Sequence, residues 1–202
     1  MGKDIQKKGL DQGKLVEKLA SLQNSFSRSI EPIDLNSWRI ASSAALLTQA
    51  TIPGYVTNDG APAIEWGTGE LITIQAFAKV PDDYDASKDA DTNAVRLRLQ
   101  MLKQGATDNI TVTVAVFASP IAGGGRGADL APAAQLTGAA AFDAVDDPGT
   151  LSYDLSGNSL VAGAQLSIEI TIGAHATDTI ELWNAFVDAV SIAEALTIED
   201  ED

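Results

Sequence analysis

Four apolar residues, Val95, Leu97, Leu99 and Met101, alternate without a break with Arg96, Arg98 and Gln100. A period of two sends successive side chains to opposite faces of a strand, so this stretch must bury one face and wet the other. The pattern recurs along the chain. Ile110, Val112, Val114 and Val116 repeat it opposite Thr111, Thr113 and Phe117, and Leu151, Tyr153 and Leu155 repeat it after the turn Asp147-Pro148-Gly149. Leu166, Ile168, Ile170 and Ile172 alternate with Ser167, Glu169 and Thr171. Glu70 to Val80 reads as a further strand, and Ile180, Leu182 and the segment Phe186 to Ile192 supply the closing ones. At least six amphipathic strands, joined by Gly, Pro, Asp and Asn turns, predict a mainly β chain folded as an antiparallel, jelly-roll-like β-sandwich. A parallel sheet would need crossover helices, and no helical periodicity falls between residues 60 and 178.

The amino-terminal part has a different texture. Leu15, Val16, Leu19, Leu22 and Phe26 recur at three- and four-residue spacing, which places them on one helical face and turns Lys14, Glu17, Lys18 and Gln23 away. A short amphipathic helix over about 14–27 is expected there, in an arm and linker spanning residues 1–50. After Pro32 this arm continues as a polar, Ser-rich connection containing Trp38. The sandwich is expected over 51–198, followed by a solvated acidic tail, 199–202. The glycine- and alanine-rich connection Ser119 to Gly138 reads as a long loop.

Charge and composition narrow the function classes. A hydrophobic fraction of 45% allows a real core in 202 residues. The net charge of −15 argues against nucleic acid, since phosphate binding needs a positive field. That charge is uneven: residues 1–28 hold six cations against three acids, so a +3 arm precedes a body of −18. Such an arm is suited to docking on something acidic. Cysteine is absent, which excludes disulfides and thiolate chemistry and fits folding in a reducing compartment. No apolar run resembles a signal peptide or approaches the ~20 residues that span a membrane. A soluble protein made without secretion, with no membrane partner, is expected.

Tests for catalysis find no assembled set. The only histidine, His175, lies in Gly173-Ala174-His175-Ala176, expected to be a surface turn, and no Gly-x-Ser-x-Gly elbow accompanies it. The glycines of 123–127 are followed by Ala128-Asp129 where a phosphate loop needs Lys-Ser or Lys-Thr. Carboxylates are plentiful, but a pair across the fold cannot be measured in sequence. Trp38, Trp66 and Trp183 are the only tryptophans, and Trp183, inside a predicted strand, is expected in the core. The chain reads as a non-enzyme.

One acidic run, Val80 to Asn93, calls for a metal test. Asp89-Ala90-Asp91-Thr92-Asn93 matches the first half of a calcium loop, yet Ala94 stands where the sharp turn needs glycine and Gln100 where a bidentate glutamate belongs. No cofactor is expected. Calcium is the one candidate ion, at a looser site built from Asp82, Asp83, Asp85, Asp89 and Asp91; the alternative is a solvated inter-strand loop.

Several short motifs carry a resemblance. Ile64-Glu65-Trp66, Phe77-Ala78-Lys79-Val80, Pro81-Asp82-Asp83-Tyr84 and Arg96-Leu97-Arg98-Leu99 resemble a β-sandwich module of tailed-bacteriophage virion proteins. Leu160-Val161-Ala162-Gly163-Ala164-Gln165-Leu166-Ser167-Ile168 and Asp178-Thr179 resemble the lead-ins to that module's last strands, over roughly Pro62 to Ile192. Ala174-His175 departs from the Arg-Asp that members often carry there. The resemblance implies a structural virion protein, first of all a capsid decoration or cement protein, made in the host cytoplasm and placed on the capsid surface. Its partner would be the major capsid protein, with self-association as a homotrimer. In that reading Lys7, Lys8, Lys14, Leu15, Lys18, Leu19 and Leu22 of the arm make the attachment contacts. The alternative is a tail- or head-fibre module that binds a host receptor or carbohydrate at exposed aromatics such as Tyr84 or Trp66.

Overall fold

In the computed structural model the alternation at 95–101 is realised as the strand β6 (Val95–Gln104), with Val95, Leu97, Leu99 and Met101 buried and Gln100 exposed. The structure describes residues 28–48, 53–58, 61–105, 110–119, 127–130, 135–137 and 149–192. The other strands are β1 (Arg28–Pro32), β2 (Arg39–Ile40), β3 (Gly54–Asn58), β4 (Ala61–Trp66), β5 (Ile74–Lys79), β7 (Thr111–Ser119), β8 (Gln135–Thr137), β9 (Gly149–Asp154), β10 (Gln165–Ile172) and β11 (Thr179–Val190). They form two antiparallel sheets. One has the order β3-β4-β11-β6-β9, with β1 also pairing β11; the other runs β2-β5-β10-β7-β8.

The core lies between the inner faces. Leu97, Leu99, Met101, Leu151, Tyr153, Ile180, Leu182 and Val187 of the six-stranded sheet meet Ile74, Ala76, Val112, Val114, Val116, Leu166, Ile168 and Ile170 of the five-stranded one in one cluster. Burying each Leu, Ile or Val side chain stabilises by about 1.5–3 kcal/mol, which is what fixes register: a slip by one residue would expose the whole row. Two glycines are required by geometry. Gly163 has φ +72 in the turn before β10, where its N–H bonds the carbonyl of Val80 and ties that turn to the end of β5. Gly105 has φ +118, and a Cβ there would fall 2.2 Å from Asp178 Oδ1.

Several expectations need correction. Residues 28–40 are not a connection: β1 hydrogen-bonds along β11 from Arg28↔Val190 to Pro32↔Phe186, β2 pairs β5, and Trp38 is fully buried. The strand expected from Glu70 begins only at Ile74, because Gly67–Glu70 closes a turn through Glu70 N–H to Gly67 O. The two closing strands are one, interrupted by a register shift between Leu182 and Asn184. The described residues contain short 3-10 turns and no α-helix. The helix expected over 14–27 and all the arm residues (Lys7, Lys8, Lys14, Leu15, Lys18, Leu19 and Leu22) lie outside the described residues, as do most of the 119–138 connection and the acidic tail.

Candidate ligand-binding face

Strand β11 is central to the six-stranded sheet, flanked by β6 on one side and by β4 and β1 on the other. Its outer face carries the candidate site. Up to Leu182 the buried apolar residues are even-numbered, Ile180 and Leu182; beyond the shift they are odd, Ala185, Val187 and Ala189. One extra residue accounts for the change, and a bulge of this kind re-aims a side chain. Here it sends both Trp183 and Asn184 outward. Trp183 is half-buried, not in the core as its strand position led one to expect, and its indole Nε1–H donates to Glu181 Oε2 at 2.6 Å.

Glu181 itself is 1% exposed, and Gln104 Nε2 on β6 donates to its other oxygen, Oε1. Directly across on β4 stands Glu65. Facing residues of neighbouring strands share one face, with Cβ atoms about 4.5–5.5 Å apart. Burial first, then the charges of Glu181 and Glu70, push the Glu65 carboxyl above the usual range.

Further along β11, Phe186 lies opposite Arg98 on β6 and Pro32 on β1, and the Arg98 guanidinium carbon is 6.0 Å from the Phe186 ring centre. Next comes Asp188, 3% exposed and shared by three arginines from two strands. Arg96 holds it with both Nε (2.9 Å to Oδ1) and Nη2 (2.8 Å to Oδ2). Arg28 Nη2 donates to Oδ1 at 2.5 Å and also to the Asn93 carbonyl at 2.9 Å. Arg98 Nε stays 3.7 Å from Oδ2, beyond hydrogen-bond range. Burial pushes Asp188 up, but the hydrogen bonds and charges of Arg96 and Arg28 outweigh it and hold the carboxyl below its ordinary value. Exposed Thr150, Ser152 and Asp154 of β9 border β6, facing Gln100, Arg98 and Arg96. The face therefore offers two half-buried aromatic rings, an amide, hydroxyls and a guanidinium, an equipment suited to a polar ligand with apolar ring faces.

The residues singled out in the sequence fall elsewhere. Trp66 is fully buried, and its indole N–H bonds Ile72 O, so it cannot stack on a ligand. Tyr84 is 1% exposed with its hydroxyl bonded to Asp89 Oδ1. The aspartates of 82–91 reach different partners. Asp82 pairs with Lys79, Asp83 accepts from Ser29 Oγ, and Asp85 caps the 3-10 turn at Ser87. Asp89 takes Tyr84 and the Ser159 N–H, and Asp91 stands 4.0 Å from Lys88. Among the described residues no group of three or more acidic or histidine side chains is arranged to hold a metal ion. His175 is buried and not on the surface: Nδ1 and Nε2 each lie 2.8 Å from a carbonyl oxygen, of Gly173 and Gly67, so the ring locks two loops together. No described helix is long and apolar enough to cross a membrane.

The opposite face of the sandwich is less equipped. There Phe77, 55% exposed, faces Ser167 on β10, which faces Phe117 on β7, with Gln75 Nε2 donating to Ser167 Oγ.

With the geometry in hand, solved structures show what the fold is similar to. A xylan-binding module, CBM15, matches with a TM-score of 0.50 at 9% identity, over 83% of this chain and 100% of that one. A family 30 carbohydrate-binding module of a cellulosomal cellulase of Clostridium thermocellum matches at TM-score 0.46 and 10% identity, over 80% and 98% of the two chains. A family 35 carbohydrate-binding module from an environmental isolate matches at 0.41 and 11%, over 82% and 98%. No family model and no curated protein matches the sequence. The first likeness establishes the fold: a two-sheet antiparallel β-sandwich of the jelly-roll kind found in carbohydrate-binding modules. Nothing in these comparisons ties the chain to virion proteins of tailed bacteriophages.

Proposed function

We propose that this chain is a non-catalytic carbohydrate-binding module whose ligand lies across the outer face of β4, β11 and β6. The observation that carries this reading is the bulge at Trp183. It turns an indole onto the same face as Phe186, roughly 10 Å along the strand, with Gln100, Ser152 and Arg98 beside them. Aromatic faces take up the apolar faces of sugar rings, and the flanking amide, hydroxyl and guanidinium answer the sugar hydroxyls. The likeness to a xylan-binding module supports the same reading.

A hydrolase reading has less support on this face. Among the described residues Glu65 and Glu181 face each other here, but a nucleophile must touch the sugar carbon, and Glu181 is buried under its bonds from Trp183 and Gln104. The test is titration of neutral and acidic oligosaccharides by calorimetry, after a glycan-array screen. Binding without turnover supports the module; an array blank across both classes, with no heat in calorimetry, overturns it.

A second reading keeps the same fold in another setting. The +3 arm ahead of a body of −18, together with the phage-module resemblance, favours a virion decoration protein docked on a major capsid protein, self-associating as a trimer. Removing residues 1–27 tests it: unchanged occupancy on particles contradicts the attachment role of Lys7, Lys8, Lys14, Leu15, Lys18, Leu19 and Leu22.

A further inference from the structure

The arginine cluster on the face does more than hold the sheet together. Arg28, Arg96 and Arg98 converge on one buried carboxylate, Asp188, which balances one of their three positive charges. Asp154, facing Arg96, offsets a second while accepting from Asn93 N–H and Ser156 N–H, so that one positive charge is left over among the described side chains at this point. A positive spot in a chain of net charge −15 is a local arrangement, since the overall composition runs the other way.

The three arginines are not equivalent. Arg96 and Arg28 spend their donors on Asp188 and on the Asn93 carbonyl, and they bind β1, β6 and β11 to one another. Arg98 makes no hydrogen bond to Asp188, its side chain is 35% exposed, and its guanidinium lies over the Phe186 ring; its Nε is buried, as is that of Arg28, so the Nη groups are the donors it can turn to a ligand. A guanidinium presents a planar fork of donors that matches a carboxylate two bonds at a time. Ser152 faces Arg98 from β9 and Gln100 lies two residues along β6, both exposed.

We infer that the module takes an acidic saccharide, a uronic-acid-containing oligosaccharide, whose carboxylate pairs with Arg98 while its sugar ring packs alongside the Arg98–Phe186 pair. Asp188 is the positioning residue: it fixes Arg96 and Arg28, whose charge keeps Arg98 from collapsing onto the same carboxylate. This deepens the carbohydrate-binding reading and rests on it.

The experiment is calorimetric titration of the full chain with an oligouronate, with the same oligosaccharide after chemical reduction of its carboxyls, and with a neutral xylo-oligosaccharide. The oligouronate is expected to bind best, to lose about tenfold on carboxyl reduction and to weaken as salt rises from about 0.05 to about 0.5 M. Arg98→Gln should give a loss of similar size with an unchanged melting temperature. Carboxyl reduction leaves the protein intact, so that comparison stands even where the variant folds poorly. Equal binding of native and reduced oligosaccharide contradicts the acidic-ligand inference and leaves the carbohydrate-binding reading standing. Absence of binding by all three contradicts both.

Discussion

The indole N–H of Trp183 donates to Glu181 Oε2 at 2.6 Å, two residues back along the same strand. Side chains two apart on a strand share a face, so this bond ties the ring to the outer face and caps a buried carboxylate at the same time. Trp183→Phe keeps an aromatic ring but removes that donor. It should destabilise the fold by about 1–3 kcal/mol, the cost of leaving a buried acceptor short. Trp183→Ala should also abolish saccharide binding. Urea denaturation and calorimetry on both variants separate the two effects; full affinity in the alanine variant would sink the stacking role.

Asp188 anchors Arg28 and Arg96, so its loss leaves two partly buried guanidinium groups short of their hydrogen-bonded counter-charge. Asp188→Ala should cost about 3–5 kcal/mol. The wild type carries a related pH signature. The Asp188 carboxyl titrates lower in the fold than in the unfolded chain, because the hydrogen bonds and charges of Arg96 and Arg28 outweigh the upward push of burial. Its contribution is therefore present above the ordinary carboxylate range and is lost as pH falls through the depressed folded value. Stability measured from neutral pH downward should drop on entering the acid range, and an Asp188→Asn variant should show a shallower drop. Parallel curves for variant and wild type would contradict this.

Glu65 behaves in the opposite sense. Burial, Glu181 and Glu70 raise its carboxyl above the normal value, so stability from this group is fully present below the unfolded value and is lost as pH rises through the folded one. Glu65→Gln removes a like charge facing Glu181 and should stabilise the protein by roughly 0.5 kcal/mol at neutral pH, with the gain vanishing in acid. Thermal melts of both proteins across that pH range check it; a gain independent of pH would assign the effect to packing.

The layered fold is readable in the sequence because burial of one strand face enforces period two, as in Val95–Met101 and Leu166–Ile172. The site is not, because it depends on register between distant segments. Arg96 and Arg98 are legible as outward residues, but nothing local places them beside Asp188 on β11, which pairs β6 over a long range, or beside Arg28 on β1, which reaches them only by pairing β11. Trp183 is misread for a related reason. The apolar residues of β11 change parity between Leu182 and Ala185, a visible mark of a bulge, and taking the segment as plain strand puts the indole inside. His175 reads as a surface turn because its sequence neighbours are small; what buries it is the distant loop at Gly67.

The most direct test of the account maps the ligand on the fold. Backbone amide shifts recorded during titration with an oligouronate should move along β4, β6 and β11, strongest around Trp183 and Phe186, and stay fixed on β5, β10 and β7. Shifts centred on Phe77 and Ser167, with β11 unmoved, would contradict the account.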